Sequence, residues 1–423
     1  MNQQKSNYVM SMLIIGMLFF TIGFATWVNG TLIPYLKIAC ELETEVQSYL
    51  VATAFFIAYT LMALPSSYVL NKVGYKKGMS LSLLVMAVGA IIFVPAAQVR
   101  SFDLFLVGLF IIGTGLALLQ TAVNPYVSII GPAESAAQRI SIMGISNKVA
   151  GILAGLIFGY ITLSDVDALE ASLEIMSLEE KAAALDELAS RVIMPYYIIA
   201  GVLVLLAAAI FKSPLPEIDD SGEDAAAGNE SDVAAQRTSV FQFPYLLLGV
   251  VALFLYVGAE VIAGDTIISY GKSLGISLST ARYFTQATLA CMLLGYVIGI
   301  FTIPKYISQA KALSIFAILG LIFSVCALVT DGFVSVGFIA LLGLANSLMW
   351  PAIFPLSIHK LGRFTKTGSA MLVMAISGGA LLPLAYGALA DAIDGRSAYV
   401  ILLPCYAFIL FFAVKGHKIG APK

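Results

Sequence analysis

The chain has 423 residues, of which 60% are hydrophobic and only 11% are charged, and its formal net charge is -2. Soluble domains carry roughly 25% charged residues, so this composition excludes a soluble globular protein and indicates an integral membrane protein. The near-zero net charge favours no class of partner, because in a membrane protein the position of each charge matters more than the total.

Twelve apolar runs follow one another along the chain, and each is close to the roughly 20 residues that a helix needs to cross a bilayer. The predicted spans cover residues 9–36, 47–70, 79–98, 102–128, 138–163, 191–211, 242–270, 280–303, 310–330, 333–358, 366–390 and 397–414. The first run lacks the end of a cleaved signal peptide, so we predict that it is a span. Only helices and closed barrels satisfy their backbone in lipid, and the runs lack the alternation of barrel strands. We therefore expect an all-α membrane protein with twelve transmembrane helices.

The Lys and Arg residues predict the orientation. When the N-terminus is placed in the cytoplasm, fifteen of them fall in cytoplasmic segments and seven in outer segments, while Lys148 remains inside a span. Cytoplasmic loops carry the excess of basic residues. Both termini are therefore predicted to be cytoplasmic.

Two polar stretches interrupt the apolar pattern. Residues 164–190 are acidic and have helical spacing around Leu178 and Leu185, which predicts a periplasmic loop. We favour a solvated cap for this loop over a site that captures ions. Residues 213–240 are rich in Asp, Glu, Ala, Gly and Ser, which is typical of a disordered linker. The linker is predicted to separate an N-terminal six-helix bundle (1–212) from a C-terminal one (241–423).

The two halves of the chain resemble each other. A shift of 235 residues places Gly23 on Gly258 and Thr31 on Thr266. Together with the central linker, this similarity predicts two bundles related by an axis along the membrane normal, with the substrate held between them near the midplane.

Polar side chains inside the predicted spans mark the candidate substrate site. Amides both donate and accept hydrogen bonds, and an aromatic face covers the apolar side of a sugar ring. This set suits a neutral polyol better than an anion, which would need several fixed cations. The candidate substrate-binding residues are Asn29, Gln120, Asn124, Asn147, Glu260, Gln286, Asn346 and Trp350.

Each kind of candidate has a structural alternative. Gln120 and Asn124 can be hydrogen-bonding contacts between helices, a common use of amides in membranes. Trp27 and Trp350 can belong to the aromatic belt at the membrane interface, although the mid-span position of Trp350 favours the cavity. Lys148 is expected to neutralise a carboxylate.

The seventh run contains two acids, Glu260 and Asp265. A charge at the centre of a membrane helix costs roughly 2.5–3.5 kcal/mol on insertion scales, and such groups usually mark an ion or substrate path. The two acids and Lys148 leave one excess negative charge within the spans. A bound cation would balance this charge.

Na⁺ prefers hard oxygen ligands, as other hard cations do. Asp265 and Glu260 are therefore the candidate metal ligands, and Asn29 and Thr266 are further candidate ion-coupling residues. A buried carboxylate can instead carry a proton. The two acids point about 140° apart on an ideal helix, so both reach one ion only if the helix unwinds near Gly264.

The sequence does not favour an enzyme. It shows no Ser-His-Asp set, metal-binding cluster or nucleotide-binding loop, and His359 and His417 both lie at the ends of spans. The four cysteines lack metal or redox spacing. We expect no cofactor besides the coupling ion, no nucleic-acid partner and a monomer surrounded by lipid.

Several motifs resemble those of the fucose–proton symporter family within the major facilitator superfamily. They are residues 29–34 (NGTLIP), 120–126 (QTAVNPY), 256–260 (YVGAE) and 351–356 (PAIFPL), together with the basic loop at 71–77 (NKVGYKK). The Gly-Ala-Glu-Val stretch of the seventh run resembles the glucose/galactose transporter branch, some members of which use sodium. The resemblance covers essentially all twelve spans and implies the major facilitator fold, with two six-helix bundles.

The resemblance implies symport of a hexose such as glucose or galactose with Na⁺, or with a proton, by alternating access in a bacterial inner membrane. Alternatives are a passive hexose uniporter, an L-fucose:H⁺ symporter, a drug exporter, and a membrane enzyme or receptor. The chain has Gly30 where the fucose branch has Asp, and Gln120 where that branch has Glu. Because the 235-residue shift places Gly30 on Asp265, the coupling site is predicted to lie in the seventh span.

Overall fold

The structure is a computed structural model that describes residues 2–129, 136–215, 237–303, 305–361 and 364–421. Within these residues, twelve helical segments are long and apolar enough to cross a membrane. The predicted fold class is therefore confirmed. Most of the predicted linker, residues 216–236, lies outside the described residues.

The first six spans are formed by helices that include two short ones in the acidic loop. Their bounds are α1 (Asn2–Trp27), α2 (Asn29–Ala39), α3 (Glu45–Val73), α4 (Tyr75–Gln98), α5 (Phe102–Ile129), α6 (Ala136–Leu163), α7 (Val166–Leu173), α8 (Leu178–Ser190) and α9 (Ile193–Lys212). The first span consists of α1 and α2, which are separated by Val28, inside the apolar run Tyr8–Ala39.

The last six spans contain more interruptions. Their helices are α10 (Pro244–Asp265), α11 (Ile267–Ser273), α12 (Leu278–Ala281), α13 (Phe284–Thr302), α14 (Gln309–Val329), α15 (Gly332–Asn346), α16 (Met349–Ile358), α17 (Thr365–Met374), α18 (Gly378–Ala392) and α19 (Leu402–Val414). Short 3₁₀ turns lie at Val240–Gln242, Ala375–Ser377, Ser397–Ile401 and Gly416–Lys418. In the tenth span, Pro351 lies in the first turn of α16, where a missing amide hydrogen is tolerated, so the helix restarts there after the interruption.

Glycines allow close contacts between the spans. A Cβ atom on Gly23 of the first span would overlap the backbone of the fifth span at Asn147, and one on Gly378 of the eleventh span would overlap the backbone of the seventh at Phe254. Small residues at helix interfaces are a principal source of packing in lipid. These glycines therefore hold the spans that surround the centre of the protein.

Two carboxylates join the halves at the end of the protein opposite the termini, which we call the outer end. Asp391, near the end of the eleventh span, accepts hydrogen bonds from the backbone amides of Glu45 (2.8 Å) and Val46 (3.0 Å). These amides begin the second span, where a helix N-terminus carries unpaired donors and partial positive charge. Asp391 thus attaches the second half to the first.

The acidic loop forms the matching attachment. Asp167 accepts hydrogen bonds from the amides of Leu278 (2.7 Å) and Ser279 (2.9 Å), at the start of the eighth span. Glu170 and Lys272 form an ion pair between the same loop and α11. The predicted solvated cap therefore also links the two halves. We call the Asp391 and Asp167 contacts the outer clamps.

Candidate functional site

A cavity of about 170 Å³ lies between the two halves of the protein. Gln120 and Asn124, late in the fourth span, line this cavity together with Asn147 and Lys148, early in the fifth span. These positions place the cavity in the half of the membrane nearer the termini.

A second cavity, of about 740 Å³, lies at the outer end around Lys37, Glu45 and Lys272. Between the two cavities Thr31 and Asp265 are buried, so the path from the outer end to the first cavity is closed.

The cavity walls are mainly apolar and include several aromatic rings, with a few polar side chains. Its polar side chains are Thr26, Gln120, Asn124, Asn147, Lys148 and Glu260. Its aromatic side chains are Phe19, Trp27, Phe56, Tyr59, Tyr256, Tyr296 and Trp350. Five of the predicted substrate-binding residues, Gln120, Asn124, Asn147, Glu260 and Trp350, are therefore brought together.

One ion pair crosses the cavity wall. Lys148 Nζ lies 3.1 Å from Glu260 Oε1, and the two side chains are 8% and 13% exposed. Lys148 comes from the first half and Glu260 from the second, so the pair joins the halves beside the cavity. Removing charges from water costs several kcal/mol per ion unless they are paired. As expected from the sequence, Lys148 neutralises a carboxylate, and the pair adds no net charge to the cavity.

The amides of the cavity are hydrogen-bonded to its walls. Gln120 Nε2 donates to the hydroxyl of Tyr59 at 2.7 Å, a contact between the fourth and second spans. Asn147 Oδ1 accepts from Trp27 Nε1 at 3.3 Å. Gln120 therefore contacts another span, as the structural alternative proposed, while it also lines the cavity.

Trp27 is a cavity residue that the sequence analysis did not select. Its side chain is 3% exposed and lines the cavity, so the structure places it inside the protein and not in an interfacial belt. The mid-span position that favoured Trp350 applies equally to Trp27 and could have identified it. Tyr59, Tyr256 and Tyr296 were missed for a related reason, because a tyrosine in an apolar run indicates packing as readily as a binding site.

The other three predicted substrate-binding residues, Asn29, Gln286 and Asn346, do not line the cavity. Asn29 is fully buried, and neither polar atom of its side chain has a hydrogen-bond partner among the described residues. Gln286 is 6% exposed and lies against Gly155 of the fifth span. Asn346 accepts a hydrogen bond from the Tyr406 hydroxyl at 2.9 Å. Packing of the outer half buries the first two, and a contact within the second half holds Asn346.

Asp265 lies beyond the cavity, in the closed outer half. It is 1% exposed, it has no ion-pair partner among the described residues, and its Oδ1 lacks a hydrogen-bond partner there. Thr266, the next residue, is already bonded to Ile262 O and to the Tyr399 hydroxyl, both at 2.7 Å. Of these two predicted ion-coupling residues, Asp265 alone keeps an unpartnered side-chain oxygen in the described part of the chain.

The first, seventh and eighth spans meet tightly beside Asp265. A Cβ on Gly30 would lie 2.8 Å from Thr285 Oγ1 and 3.1 Å from the carbonyl oxygen of Gly264. Thr285 Oγ1 in turn donates to that carbonyl at 2.7 Å. A side chain at position 30 would therefore press on Thr285 and on the backbone of the seventh span.

The two acids of the seventh span are separated in this structure. Helix α10 continues through Gly264 to Asp265, so the unwinding that a shared ion would require is not present. Glu260 faces the cavity and pairs with Lys148, whereas Asp265 does not line the cavity. In the described ranges, no group of three or more His, Cys, Asp and Glu could hold a metal ion. In this arrangement the two acids therefore do not line one common cavity, and a site that uses both Glu260 and Asp265 stays a prediction.

Comparison with known proteins identifies the class to which this cavity belongs. The sequence model of the Major Facilitator Superfamily matches residues 15–382. The chain belongs to this superfamily, and it is a membrane transporter and not an enzyme.

Individual relatives agree with the predicted branch. The chain is 34% identical over 419 residues to the glucose/galactose transporter of Brucella abortus biovar 1 (strain 9-941), with 98% of this chain and 96% of the relative covered. It is 31% identical over 417 residues to the L-fucose-proton symporter of Escherichia coli (strain K12), with 97% and 94% covered. The predicted resemblance to these transporters is thus confirmed.

A solved structure confirms the fold. The crystal structure of the transporter FucP in the outward conformation matches with a TM-score of 0.73 and 28% identity, over 99% of this chain and 100% of that one. A D-xylose-proton symporter matches with a TM-score of 0.68 at 16% identity, over 98% and 100%. The major facilitator fold expected from the motifs is therefore present.

Proposed function

We propose that this protein is a secondary active sugar transporter, which couples entry of a hexose such as glucose or galactose to entry of a cation by alternating access. It would act as a monomer in the lipid of a bacterial inner membrane, with both termini in the cytoplasm. Na⁺ is the preferred coupling ion and a proton is the alternative.

The cavity supports a neutral substrate. Its charged groups, Lys148 and Glu260, are paired at 3.1 Å, so a ligand without charge leaves the pair balanced. Amides and tyrosine hydroxyls supply both donors and acceptors for sugar hydroxyls. Trp350, which is stacked on Phe354 with ring centroids 5.8 Å apart, offers a rigid apolar face for a sugar ring. The names of the relatives indicate the same class of substrate.

The observation that carries the coupling proposal is the isolation of Asp265. Because Lys148 pairs with Glu260, the single excess negative charge within the spans falls on Asp265. An uncompensated buried charge costs several kcal/mol. A cation that binds at Asp265, or a proton that neutralises it, would remove this cost, so ion binding and closure of the outer half would favour each other.

Buried oxygens on the first span, beside the contact between Gly30 and the backbone of Gly264, favour Na⁺ over the proton. Asn29 Oδ1 and Thr31 Oγ1 lie on the first span, on either side of Gly30, and both are buried without a partner in the described part of the chain. Hard oxygen atoms of this kind suit a hard cation. A proton would need the carboxylate alone, so these extra oxygens would have no role in proton binding.

Uptake into proteoliposomes tests the proposal. Radiolabelled glucose, galactose, mannose and fucose would be offered with an inward Na⁺ gradient, with an inward proton gradient, and with neither. The proposal predicts accumulation of glucose or galactose above equilibrium with Na⁺. Equilibration without accumulation under every gradient would identify a passive uniporter, and accumulation of fucose with protons alone would identify an L-fucose:H⁺ symporter.

A further inference from the structure

The indole of Trp27 touches both the cavity and the packing around Asp265. Trp27 is the last residue of α1, directly before the interruption of the first span at Val28. Its ring is held between two glycines: a Cβ on Gly151 would lie 2.6 Å from Trp27 Cδ1, and one on Gly264 would lie 2.5 Å from Trp27 Cζ3. The ring therefore has little room to move unless the fifth or the seventh span moves with it.

One edge of the indole belongs to the cavity. Nε1 donates to Asn147 Oδ1 at 3.3 Å, and Lys148 Nζ lies 4.2 Å from the centre of a Trp27 ring. A cation over an aromatic face is attracted by the negative potential of the ring. The ring thus helps to position the same Lys148 that pairs with Glu260.

The other edge of the indole belongs to the ion region. Gly264, on which the benzene part of the ring packs, directly precedes Asp265 and carries the carbonyl that accepts from Thr285. Asn29 follows Trp27 two residues later in the chain, and its buried side-chain amide has no hydrogen-bond partner among the described residues. A rigid ring therefore connects the wall of the cavity to the backbone beside Asp265.

We propose that Trp27 is a positioning residue that transmits occupancy between the sugar cavity and Asp265. This inference rests on the proposed function and adds to it the element that links the two sites. A sugar that displaces Asn147 or the ion pair shifts the ring, and the ring shifts the seventh span at Gly264. Ion binding at Asp265 acts on the cavity through the same contacts in reverse, as thermodynamic linkage requires.

The test measures the coupling factor, which is the ratio of sugar dissociation constants without and with the ion. Purified full-length protein would bind radiolabelled glucose or galactose in choline buffer and in saturating Na⁺, and over a series of pH values. We expect a factor of at least about fivefold in the unchanged protein, within the usual range of linkage. In Gly264→Ala the factor should fall towards 1, because the added Cβ displaces the ring from the backbone beside Asp265.

Two further variants keep this test decisive. Trp27→Phe retains an aromatic ring but removes the Nε1 donor and the outer part of the ring. It should also lower the coupling factor, and it keeps the test available if Gly264→Ala fails to fold. Gly337→Ala is the matched control, because a Cβ there meets no atom within 4 Å, and it should leave the factor unchanged.

The outcomes separate the two proposals. An unchanged factor in Gly264→Ala or Trp27→Phe, or a sugar affinity that falls equally with and without the ion, would overturn the role of Trp27. A factor of 1 in the unchanged protein, with Na⁺ and with protons, would overturn symport itself and this inference with it.

Intrinsic fluorescence gives a readout that packing alone would not move. The chain contains two tryptophans, Trp27 and Trp350. We expect an ion-dependent change in emission that persists in Trp350→Phe and disappears in Trp27→Phe. Persistence of the ion-dependent change in Trp27→Phe would contradict the inference.

Discussion

The outer clamps should set the balance between the arrangement closed at the outer end and one open there. Asp391 and Asp167 each accept two amides at the N-terminus of a span from the other half, at distances of 2.7–3.0 Å. Opening the outer end must break both clamps. We expect the substitutions Asp391→Asn and Asp167→Asn to shift the population towards the open form.

The size of the shift can be worked from these contacts. Hydrogen bonds to charged groups contribute about 1.5–3 kcal/mol, but Asp391 is exposed and therefore screened, and Asn keeps one acceptor. About 1 kcal/mol per clamp remains, which is roughly fivefold because 1.4 kcal/mol is tenfold. The clamps share no partner, so their contributions should add to about 2 kcal/mol in the double variant, which is roughly 30-fold.

Cysteine labelling can measure this shift. Thr31 is fully buried in the outer half, so Thr31→Cys should react slowly with a membrane-impermeant maleimide applied from outside, after subtraction of the labelling of the parent protein. The rate should rise about fivefold with either clamp variant and about 30-fold with both.

Asp394→Asn is the matched control for the clamps. Asp394 is also at the outer end, but it accepts from the amide of Ser397 in its own loop, and its removal should leave the labelling rate unchanged. An unchanged rate in the double clamp variant would refute the assignment of these carboxylates to closure.

Three further predictions concern the cavity and its packing. Glu260→Gln leaves Lys148 buried without its partner and should lower the free energy of unfolding by about 3 kcal/mol. Replacing both residues by uncharged ones should recover most of this loss. A double-mutant cycle followed by thermal unfolding measures the difference, and equal losses in the single and double variants would contradict the prediction. Gln120→Ala should weaken sugar binding by about 1–3 kcal/mol, and an unchanged dissociation constant would assign the amide to contacts between spans. Gly23→Ala should lower the melting temperature because its Cβ would overlap the backbone of the fifth span. In the control Gly201→Ala the added Cβ meets no atom within 4 Å, so the melting temperature should not change. Equal melting temperatures in the two variants would contradict the close contact of the first and fifth spans.

The fold could be predicted from the sequence because lipid leaves few options for the backbone. Runs of apolar residues must be helices, and their number does not depend on how they pack. The interruptions at Val28 and Thr266 were not predicted, and close to them Gly30 of the first span contacts Gly264 of the seventh, across the two halves. Hydropathy describes one span at a time and contains no information about such contacts.

The candidate site was predictable only in part, for a similar reason. Gln120 and Asn124 are polar groups in an apolar run, and the resemblance to known motifs indicated their place in the cavity. Which of the two acids, Glu260 or Asp265, forms an ion pair depends on which one Lys148 reaches from the other half of the chain. That choice is made by tertiary packing, and the structure assigns the lysine to Glu260.

The most direct test of the account is the Asp265→Asn variant in proteoliposomes. Sugar accumulation under a Na⁺ or proton gradient and sugar exchange without a gradient would be measured on the same preparation, with Asp394→Asn as the control. We predict that accumulation is lost in Asp265→Asn while exchange remains. Undiminished accumulation would contradict the claim that this buried acid links the cation to the sugar.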